Sequence, residues 1–402
     1  MIDVTRAVLA AVASLRGEPL VRAALAGRFP DGEVQVVGAG KAVASMARGA
    51  RAALGERARL GVLIGKEVDE ELGVRGAGHP FPDERSVRAT EALLAEVAIL
   101  DERATLLVLL SGGASALLGA PAFGLALEDL RRATTTLLAA GAPITEINTV
   151  RRHLGRALGG RLAAATRARV LVMALSDVIG DHPATVGSGP CSPDPTTFAD
   201  ALAVARQRGV DGAVLALLER GTRGELEETL KLGDPRLARV EYSLLATPLD
   251  LRSAVAAALR DGGWQVAVDP ALVEEEVDPL AQRYGERARS LQPGEAIVAV
   301  GEPTVRLPLD AGRGGRAQQL ALAVARHIAG GPCALLALGS DGSDGPTDAA
   351  GALVDGATWS PTAEEFLRRC DAYPFLDAAR ALLRTGPTGT NLLDVHVLHR
   401  PR

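Results

Sequence analysis

A glycine turn that carries a lysine, Gly38-Ala39-Gly40-Lys41, follows an apolar run and precedes a helical pattern in this chain of 402 residues. A glycine turn lets the backbone approach an anion, and Lys41 would add positive charge beside a helix N-terminus. The segment lacks the GxxxxGK[ST] pattern of a P-loop, and Val43 stands where a dinucleotide-binding fingerprint requires glycine or alanine. We therefore predict that Gly38, Gly40 and Lys41 form an anion site; a tight turn with a solvated lysine is the alternative.

The identity of residue 41 strengthens this interpretation. Only three of the 44 basic residues are lysines, namely Lys41, Lys66 and Lys231. Such depletion is typical of a GC-rich genome, a hot habitat or both, and it favours arginine at ordinary surface positions. A lysine retained in a glycine turn is therefore a candidate for chemistry.

A second run of small residues, LLSGGASALL, occupies positions 109–118. Its backbone N–H groups and hydroxyls would suit phosphates or a nucleotide, because they add no side-chain bulk. The predicted contacts are Ser111, Gly112, Gly113 and Ser115. A turn that leads into a helix explains the same residues equally well.

A long polar segment, residues 174–195, is rich in glycine, proline, serine and aspartate. Structured loops of this length are usually functional. Asp177 and Asp181 lie four residues apart and could bind Mg²⁺ or act as a base. We predict Asp181 as the general base and Asp177 as a metal ligand, with turn-forming aspartates as the alternative.

The helical segment 146–162 follows the second glycine run and carries three arginines, Arg151, Arg152 and Arg156. Asn148 is a good N-cap residue, so we expect the helix to start there. A solvated basic face is the ordinary explanation of the arginines, although one of them could reach an anionic substrate.

The C-terminal part contains further candidate ligands. Arg316 and Arg313 lie among four glycines at a predicted helix start, which is a natural anion clamp. We predict Glu302 and Thr304 of the GEPTV segment as nucleotide contacts. The acidic run after a predicted strand supplies candidate metal ligands, at least one of which we expect to be structural: Asp341, Asp344 and Asp348.

Composition excludes several classes of function. The net charge of −5 and the aromatic content of 3% argue against nucleic-acid binding and against an acidic lipid surface. The three cysteines are scattered, which indicates a reducing compartment and no structural zinc site. The N-terminus reads as an amphipathic helix, not a signal peptide, so we expect a soluble, cytoplasmic protein.

The elements that must position these residues alternate between short apolar runs and longer helical patterns. This alternation predicts an α/β fold with parallel sheets covered by helices. We place the boundary between two domains near residue 235, giving domains 1–235 and 236–402. The predicted strands are 33–40, 60–65, 104–113, 168–177, 243–247, 264–269, 296–302, 333–342 and 394–399. In such folds ligands bind outside the carboxyl ends of the strands, where the candidate residues lie.

The ordered motifs resemble those of the glycerate 2-kinases of the MOFRL family. The resemblance extends from about residue 3 to residue 399 through GAGKA, SGGASALL, INTVRRHLGRALGGRLA, SDVIGD…GSGP…PDPTTF, GEPTV, GRGGR, SDGSDGPTDAAG and GPTGTN. It implies a Rossmann-like N-terminal domain with a parallel sheet and a second α/β domain with a mixed sheet. It also implies an active site in the interdomain cleft, where ATP and a divalent metal, most simply Mg²⁺, serve to phosphorylate D-glycerate at the 2-hydroxyl.

The resemblance places the family's active-site lysine on Lys41 and its GGRNQE arginine on Arg316. Ala317 and Gln319 replace the asparagine and glutamate of that second motif. The implied partners are D-glycerate and ATP, without nucleic acid or membrane, and a homodimer is compatible with the pattern.

Two other classes of function remain open. Members of the family are often described as hydroxypyruvate reductases, but an NAD(P)H-dependent reductase would need the fingerprint that Val43 interrupts. A non-catalytic sensor of sugar acids or nucleotides would not need the aspartates at the strand ends.

Overall fold

The structure, a computed structural model, describes residues 2–27, 32–178, 180 and 182–402. Within these residues the chain forms an α/β fold with two six-stranded sheets. The strands are β1 (Val34–Ala39), β2 (Ala58–Gly65), β3 (Val74–Gly76), β4 (Thr105–Leu110), β5 (Arg169–Leu175), β6 (Val240–Ala246), β7 (Gln265–Val268), β8 (Glu295–Gly301), β9 (Ala334–Gly339), β10 (Gly351–Asp355), β11 (Leu382–Leu383) and β12 (Asp394–His399).

Helices connect most of these strands. They are α1 (Val4–Ser14), α2 (Gly17–Leu25), α3 (Val43–Leu54), α4 (Glu84–Ala98), α5 (Ala114–Leu117), α6 (Leu127–Ala139), α7 (Ile144–Leu154), α8 (Arg161–Ala164), α9 (Phe198–Gln207), α10 (Gly212–Thr222), α11 (Pro248–Asp261), α12 (Val277–Ser290), α13 (Arg316–Ile328), α14 (Ala363–Arg368) and α15 (Ala372–Ala378). No helix in the described part of the chain is long and apolar enough to cross a membrane.

The chain divides into two compact units. The central unit is Gly17–Leu245, and the terminal unit combines Met1–Arg16 with Ala246–Arg402. In the terminal unit, α1 packs on α11, and the Trp264 indole donates a hydrogen bond of 3.1 Å to the carbonyl of Ile2. This contact explains why the first residues group with the C-terminal part of the chain.

The sheet of the central unit has the order β3-β2-β1-β4-β5-β6. The pairs β2–β3, β1–β2, β1–β4 and β4–β5 are parallel. Strands β4 and β5 are buried over nearly their whole length, as expected for a parallel sheet covered by helices. Helices α3 and α4 both pack on β2, and a separate helical core joins α6, α7, α9 and α10.

The sheet of the terminal unit has the order β11-β10-β9-β12-β8-β7 and is mixed. Strand β12 lies between β8 and β9 and is antiparallel to both, whereas β7 and β8 are parallel. Helix α13 packs on β9 and β10 with an almost wholly buried surface. The parallel sheet and the mixed sheet confirm the fold class expected from the sequence.

The division at residue 245 differs from the boundary expected near residue 235. Strand β6 lies beside β5 in the central sheet, and the N–H of Val170 donates a 3.0 Å hydrogen bond to the carbonyl of Arg239. The chain therefore adds β6, the last strand of the central sheet, before the terminal unit resumes at Ala246. Helix α11 then starts at once, because Thr247 and Asp250 form a capping box ahead of it.

Candidate active site

The middle of the central sheet is a topological switch point. Strand β1 is followed by β2 and β3 on one side, and β4 begins the series that extends to the other side. A sheet in this order binds ligands in the crevice outside the carboxyl ends of the two strands where the direction reverses. Strand β1 ends at Ala39 and β4 ends at Leu110. Both glycine-rich segments of the sequence therefore meet at the position where this fold places a ligand.

The two segments interlock through their backbones. The N–H of Lys41 donates to the carbonyl of Gly112 (3.0 Å), and the N–H of Ser111 donates to the carbonyl of Ala39 (3.1 Å). Gly40 has a φ of 140°, and a Cβ atom at this position would overlap Ser111. Only glycine permits so close an approach. We call loops 40–42 and 111–115 together the loop site.

Ser111 holds the loop site together from inside. Its side chain is fully buried, and its Oγ accepts a 3.0 Å hydrogen bond from the N–H of Ala42. This geometry makes Ser111 a residue that positions the turn, and the predicted contact with a ligand stays a prediction. Helix α3 starts at Val43, so Lys41 lies two residues before the helix.

Lys41 and His79 both lie over Gly113. A Cβ atom built on Gly113 would be 3.4 Å from Cγ of Lys41 and 3.0 Å from Nε2 of His79. Gly113 has a φ of 85° and precedes α5, so it also forms the turn itself. His79 was missed by sequence reasoning, because a single histidine in a proline-rich loop carries no pattern.

The loop 174–195 reaches the loop site through its own glycine turn. A Cβ atom on Gly187 would be 2.8 Å from Cβ of Ala114. Ser188, between Gly187 and Gly189, has a φ of 59° although it is not glycine. Strained backbone of this kind costs about 1–3 kcal/mol and is concentrated at functional sites. Asp177 is half-buried near the start of this loop, and the predicted base Asp181 lies outside the described residues.

Ser188 connects the loop site to helix α7. Its hydroxyl lies 2.8 Å from Oγ of Ser115 and donates a 3.0 Å hydrogen bond to Oδ1 of Asn148. The prediction that Asn148 caps the helix was wrong, because α7 begins at Ile144 after Pro143. Asn148 is instead a buried residue in the middle of the helix, where its side chain is available to Ser188.

The arginines predicted as a solvated basic face have separate roles. Arg152 is buried, with Nη1 3.1 Å from Oδ1 of Asp194, which ties α7 to the long loop. Arg156 forms an ion pair of 2.8 Å with Glu91. Arg151 is partly buried, and burial lowers the pKa of its guanidinium.

In the terminal unit, the ends of β8 and β9 and the start of β12 carry a group of charged residues. Asp394 lies opposite Gly301 and Gly339 in the sheet. Arg316, the first residue of α13, forms an ion pair with Glu302. We call Glu302, Arg316, Asp344 and Asp394 the charged crest.

Asp344 of the charged crest caps helix α13. Its carboxylate accepts hydrogen bonds from the N–H groups of Ala317 (3.1 Å) and Gln318 (2.8 Å). Burial raises its pKa to about 6, although these N–H groups and Arg316 act in the opposite direction. Asp344 thus uses both oxygens within the protein.

Asp394 is the most perturbed carboxyl of the charged crest. Burial raises its pKa to about 8, although Arg316 acts in the opposite direction, and Oδ2 has no hydrogen-bond partner among the described residues. Desolvation would lower the pKa of Arg316, but the charges of Asp394 and Glu302 raise it. Asp394 was missed as a site residue because it reads as the polar first residue of an apolar strand.

The other predicted contacts in the terminal unit have varied surroundings. Asp341 accepts hydrogen bonds from the backbone (2.8 Å) and the hydroxyl (3.0 Å) of Ser343. Asp348 is exposed and bound by Tyr373 (2.6 Å) and Arg384 (3.0 Å). Thr304 is exposed at a backbone bridge to Glu276.

The predicted metal ligands do not form a site made by protein groups alone. Within the described residues, no group of three or more His, Cys, Asp or Glu side chains is arranged to hold a metal ion. Asp344 and Asp348 are engaged as described above. The roles of Asp177, Asp341, Asp344 and Asp348 as metal ligands therefore remain a prediction. Mg²⁺ in phosphotransfer enzymes is commonly held by one or two carboxylates together with substrate phosphates.

Comparisons with known proteins add two family matches. Residues 3–219 match a domain described as a domain of unknown function (DUF4147), and residues 295–394 match the MOFRL family. The chain is 36% identical to a glycerate 2-kinase of Pyrococcus horikoshii, over 90% of this chain and 86% of that protein. It is 36% identical to a D-glycerate 2-kinase of Thermotoga maritima, over 90% and 89%. The crystal structure of a glycerate kinase from Thermotoga maritima is similar over 98% of both chains, with a TM-score of 0.83 and 33% identity.

Proposed function

Because this chain belongs to the MOFRL family, together with the glycerate 2-kinases described above, we propose that it phosphorylates D-glycerate. The finer proposal is transfer of the terminal phosphoryl group of ATP to the 2-hydroxyl, giving 2-phospho-D-glycerate. The observation that carries it is the loop site, in which two glycine loops hold Lys41 at the switch point of the sheet. Phosphoryl transfer depends mainly on positioning and on neutralisation of charge, and such a site supplies both.

In this mechanism the N–H groups of Gly112 and Gly113 bind phosphate, since those of residues 40–42 and Ser111 donate within the protein. Gly38 and Gly40 let the first turn lie against β4 and Ser111, and Gly113 leaves room for Lys41. Lys41 neutralises negative charge on the phosphates. Ser111 keeps the two loops in register, because its buried Oγ accepts the hydrogen bond of Ala42.

Arg316 is proposed as the second cation. Its guanidinium is half-exposed and therefore accessible to an anion, while the ion pair with Glu302 orients it. Ala317 replaces the family's asparagine and provides only its N–H, which Asp344 binds. Gln319 replaces the glutamate, and its side chain donates a 2.7 Å hydrogen bond to the carbonyl of Leu367. Ala317 thus takes part in the cap of helix α13, and Gln319 ties α13 to α14.

Asp181 is proposed as the general base that accepts the proton of the attacking hydroxyl. The proposal rests on its place in the long loop that reaches the loop site through Gly187. A positioned base typically contributes about 10²–10⁴-fold to the rate. Asp181→Asn should reduce kcat on that order while the melting temperature stays unchanged, and wild-type turnover would remove Asp181 from this role.

ATP and Mg²⁺ are proposed as the nucleotide and metal. When bound, Mg²⁺ would neutralise charge on the phosphates. Since the described residues do not make a metal site of their own, we assign no step of the reaction to the ion.

The strand order of the central sheet favours one alternative. The order β3-β2-β1-β4-β5-β6 is that of dinucleotide-binding sheets, which supports an NAD(P)H-dependent hydroxypyruvate reductase. Against it, Val43 starts helix α3 and packs close to Gly38, where the fingerprint requires a small residue.

One pair of assays separates the two activities. ADP release is measured with D-glycerate, ATP and Mg²⁺, and NADH or NADPH oxidation is measured with hydroxypyruvate. The kinase proposal expects ADP release that depends on glycerate and no oxidation of either nicotinamide cofactor. Robust NADH oxidation without ADP release would overturn it.

A further inference from the structure

Arg151 differs from the arginines around it in having no described partner. Arg152 pairs with Asp194, and Arg156 pairs with Glu91. Within residues 2–27, 32–178, 180 and 182–402, no ion pair or side-chain hydrogen bond is found for Arg151. A partly buried, unpaired cation is unfavourable for folding, because the guanidinium loses part of its hydration without compensation. Such a residue is explained if it binds an anion that the folded protein meets in use.

Arg151 lines a cavity beside the loop site. Ser115, Pro82, Gly119, Thr134 and Gly155 also line it. Thr134 is buried and its hydroxyl donates to the carbonyl of Leu130 at 2.9 Å, whereas Ser115 is only partly buried. Ser115 and Arg151 are therefore the two side chains of this cavity that are suited to hold a polar ligand. The enclosed part is about the size of one water molecule, enough for one oxygen of a carboxylate, and the remainder is open.

The hydrogen bonds of Ser188 determine whether the hydroxyl of Ser115 can donate to a ligand or accept from it. Ser188 has one hydroxyl hydrogen, and it donates this hydrogen to Oδ1 of Asn148 at 3.0 Å. In the 2.8 Å contact between the two serines, Ser115 must then be the donor. Its oxygen keeps its lone pairs, so Ser115 presents an acceptor to the cavity. An acceptor suits the hydrogen of a substrate hydroxyl and does not suit a phosphate oxygen.

Asn148 and Arg151 lie on the same side of helix α7. Asn148 and Arg151 are three residues apart, which puts them on neighbouring positions of the same helix face. Asn148 orients the serines and Arg151 supplies the charge. The strained backbone of Ser188 fits this assignment. A glycine would adopt the φ of 59° without strain, but it would lack the hydroxyl that binds Asn148.

We infer that this cavity is the subsite for the hydroxy acid: Arg151 binds the carboxylate, and Ser115 accepts a hydrogen bond from a hydroxyl of the same molecule. The inference rests on the proposed function for its choice of D-glycerate. It reassigns Ser115 from the nucleotide to the acid. Arg151 is then a residue that determines specificity, because it distinguishes an acid from an uncharged polyol.

The test compares Arg151→Ala with Arg151→Lys and with the matched control Arg156→Ala. Binding of D-glycerate is measured by calorimetry with and without ADP, and KM and kcat are measured for D-glycerate and ATP. Arg151→Ala should weaken D-glycerate binding and raise its KM by about 10- to 100-fold, the loss typical of a hydrogen bond to a charged group. The KM for ATP should change less than about twofold.

The conservative and control variants sharpen this result. Arg151→Lys should recover part of the affinity, since it keeps the charge but loses the planar fork. Arg156→Ala should bind D-glycerate like the wild type. The melting temperature of Arg151→Ala should stay equal or rise, because the unpaired cation is removed; a merely structural arginine would lower it.

A second pair of variants tests the serine part. Ser188→Gly should weaken D-glycerate binding about fivefold. Relief of the left-handed strain offsets part of the stability lost when buried Asn148 loses its hydrogen bond. Arg380→Gly is the control, because Arg380 has a φ of 57° and is exposed. It should relieve the same strain and leave binding unchanged.

Several outcomes would overturn the subsite. They are wild-type affinity for D-glycerate in Arg151→Ala, no D-glycerate binding by the wild type, or a raised KM for ATP with an unchanged KM for D-glycerate. A wild type that binds D-glycerate through Arg151 but does not phosphorylate it would refute the proposed function and still support the subsite.

Discussion

In the central unit, backbone groups of two glycine loops hold Lys41 in place, whereas in the terminal unit an ion pair with Glu302 holds Arg316. The first arrangement tolerates almost no added atoms, because Gly40 lies against Ser111. In the second, an added Cβ atom is also excluded at Gly315, beside Asp344, but the side chain of Arg316 is half-exposed. The two cations proposed for the same reaction are thus held by different interactions, backbone packing for Lys41 and an ion pair for Arg316. Substitutions should affect stability and activity differently at the two positions.

The largest effect should come from Lys41→Ala. Removing a charge that stabilises the transferring phosphoryl group should lower kcat by about 10²–10³-fold, while the melting temperature changes little. Lys41→Arg should also be slow, because a planar fork does not replace a compact ammonium in a tight turn. Steady-state kinetics would check both, with the exposed Lys66→Ala as control. Wild-type turnover of Lys41→Arg would refute a specific role for this lysine.

Gly40→Ala should lower the free energy of unfolding more than Gly73→Ala does. At Gly40 the added Cβ meets Ser111 and the φ of 140° is strained, so we expect a loss of about 3 kcal/mol in the free energy of unfolding. At Gly73 the φ is 69° but nothing lies within 4 Å of the added atom. Its loss should be about 1 kcal/mol. Denaturant titration of both variants measures the difference, and equal losses would show that the loops do not interlock.

Arg316→Ala should lower kcat by about 10²-fold with little change in stability, because its ion pair with Glu302 is half-exposed. Arg326→Ala is the matched control on the same helix, where the arginine pairs with Glu364 at 3.1 Å. Kinetics of the two variants distinguish a role in the reaction from a contribution to helix α13. Equal activity of the two variants would exclude Arg316 from the reaction.

The smallest effect concerns the pH dependence of stability. Asp394 has a folded pKa of about 8 against an ordinary value of 3.8, so between these values the folded state binds a proton that the unfolded state has released. The free energy of unfolding therefore falls as pH rises through this window. Asp394→Asn should remove this fall and gain at least about 1 kcal/mol relative to the wild type between pH 5 and pH 8.

Asp348→Asn is the control for that measurement. Tyr373 and Arg384 lower the pKa of Asp348 below its ordinary value, so this carboxyl titrates below the window. Urea titrations give the free energy of unfolding at pH 5 and at pH 8. The difference between the two values should be the same for Asp348→Asn as for the wild type. If Asp394→Asn keeps the wild-type change in the free energy of unfolding between pH 5 and pH 8, Asp394 is ionised in the folded protein at pH 5.

Much of the fold could be predicted from the sequence, because long apolar runs bounded by glycine or aspartate mark buried strands. All nine predicted strands are present, whereas β3, β10 and β11 were missed; β3 and β11 are only three and two residues long. The start of α7 was misplaced because the residue type of Asn148 outweighed Pro143 and Glu146, which mark the first turn.

The candidate site was predictable only in part. Glycine turns at strand ends can be read from local sequence, so the two turns after β1 and β4 could be placed, and their role as an anion site stays a prediction. Pairings between distant segments cannot be read in this way, and these decide the roles of Ser111, Ser188 and Arg151. The same holds for Asp394, whose perturbed pKa comes from burial that its own strand does not reveal.

The position of the phosphoryl group in the product tests the central proposal most directly. The protein is incubated with D-glycerate, ATP and Mg²⁺, and the product is examined by proton-coupled phosphorus NMR. Phosphate on the 2-hydroxyl couples to a single carbon-bound proton and gives a doublet, which is the expected result. A triplet, from coupling to the two protons of the terminal carbon, or the absence of any phosphorylated glycerate would contradict it.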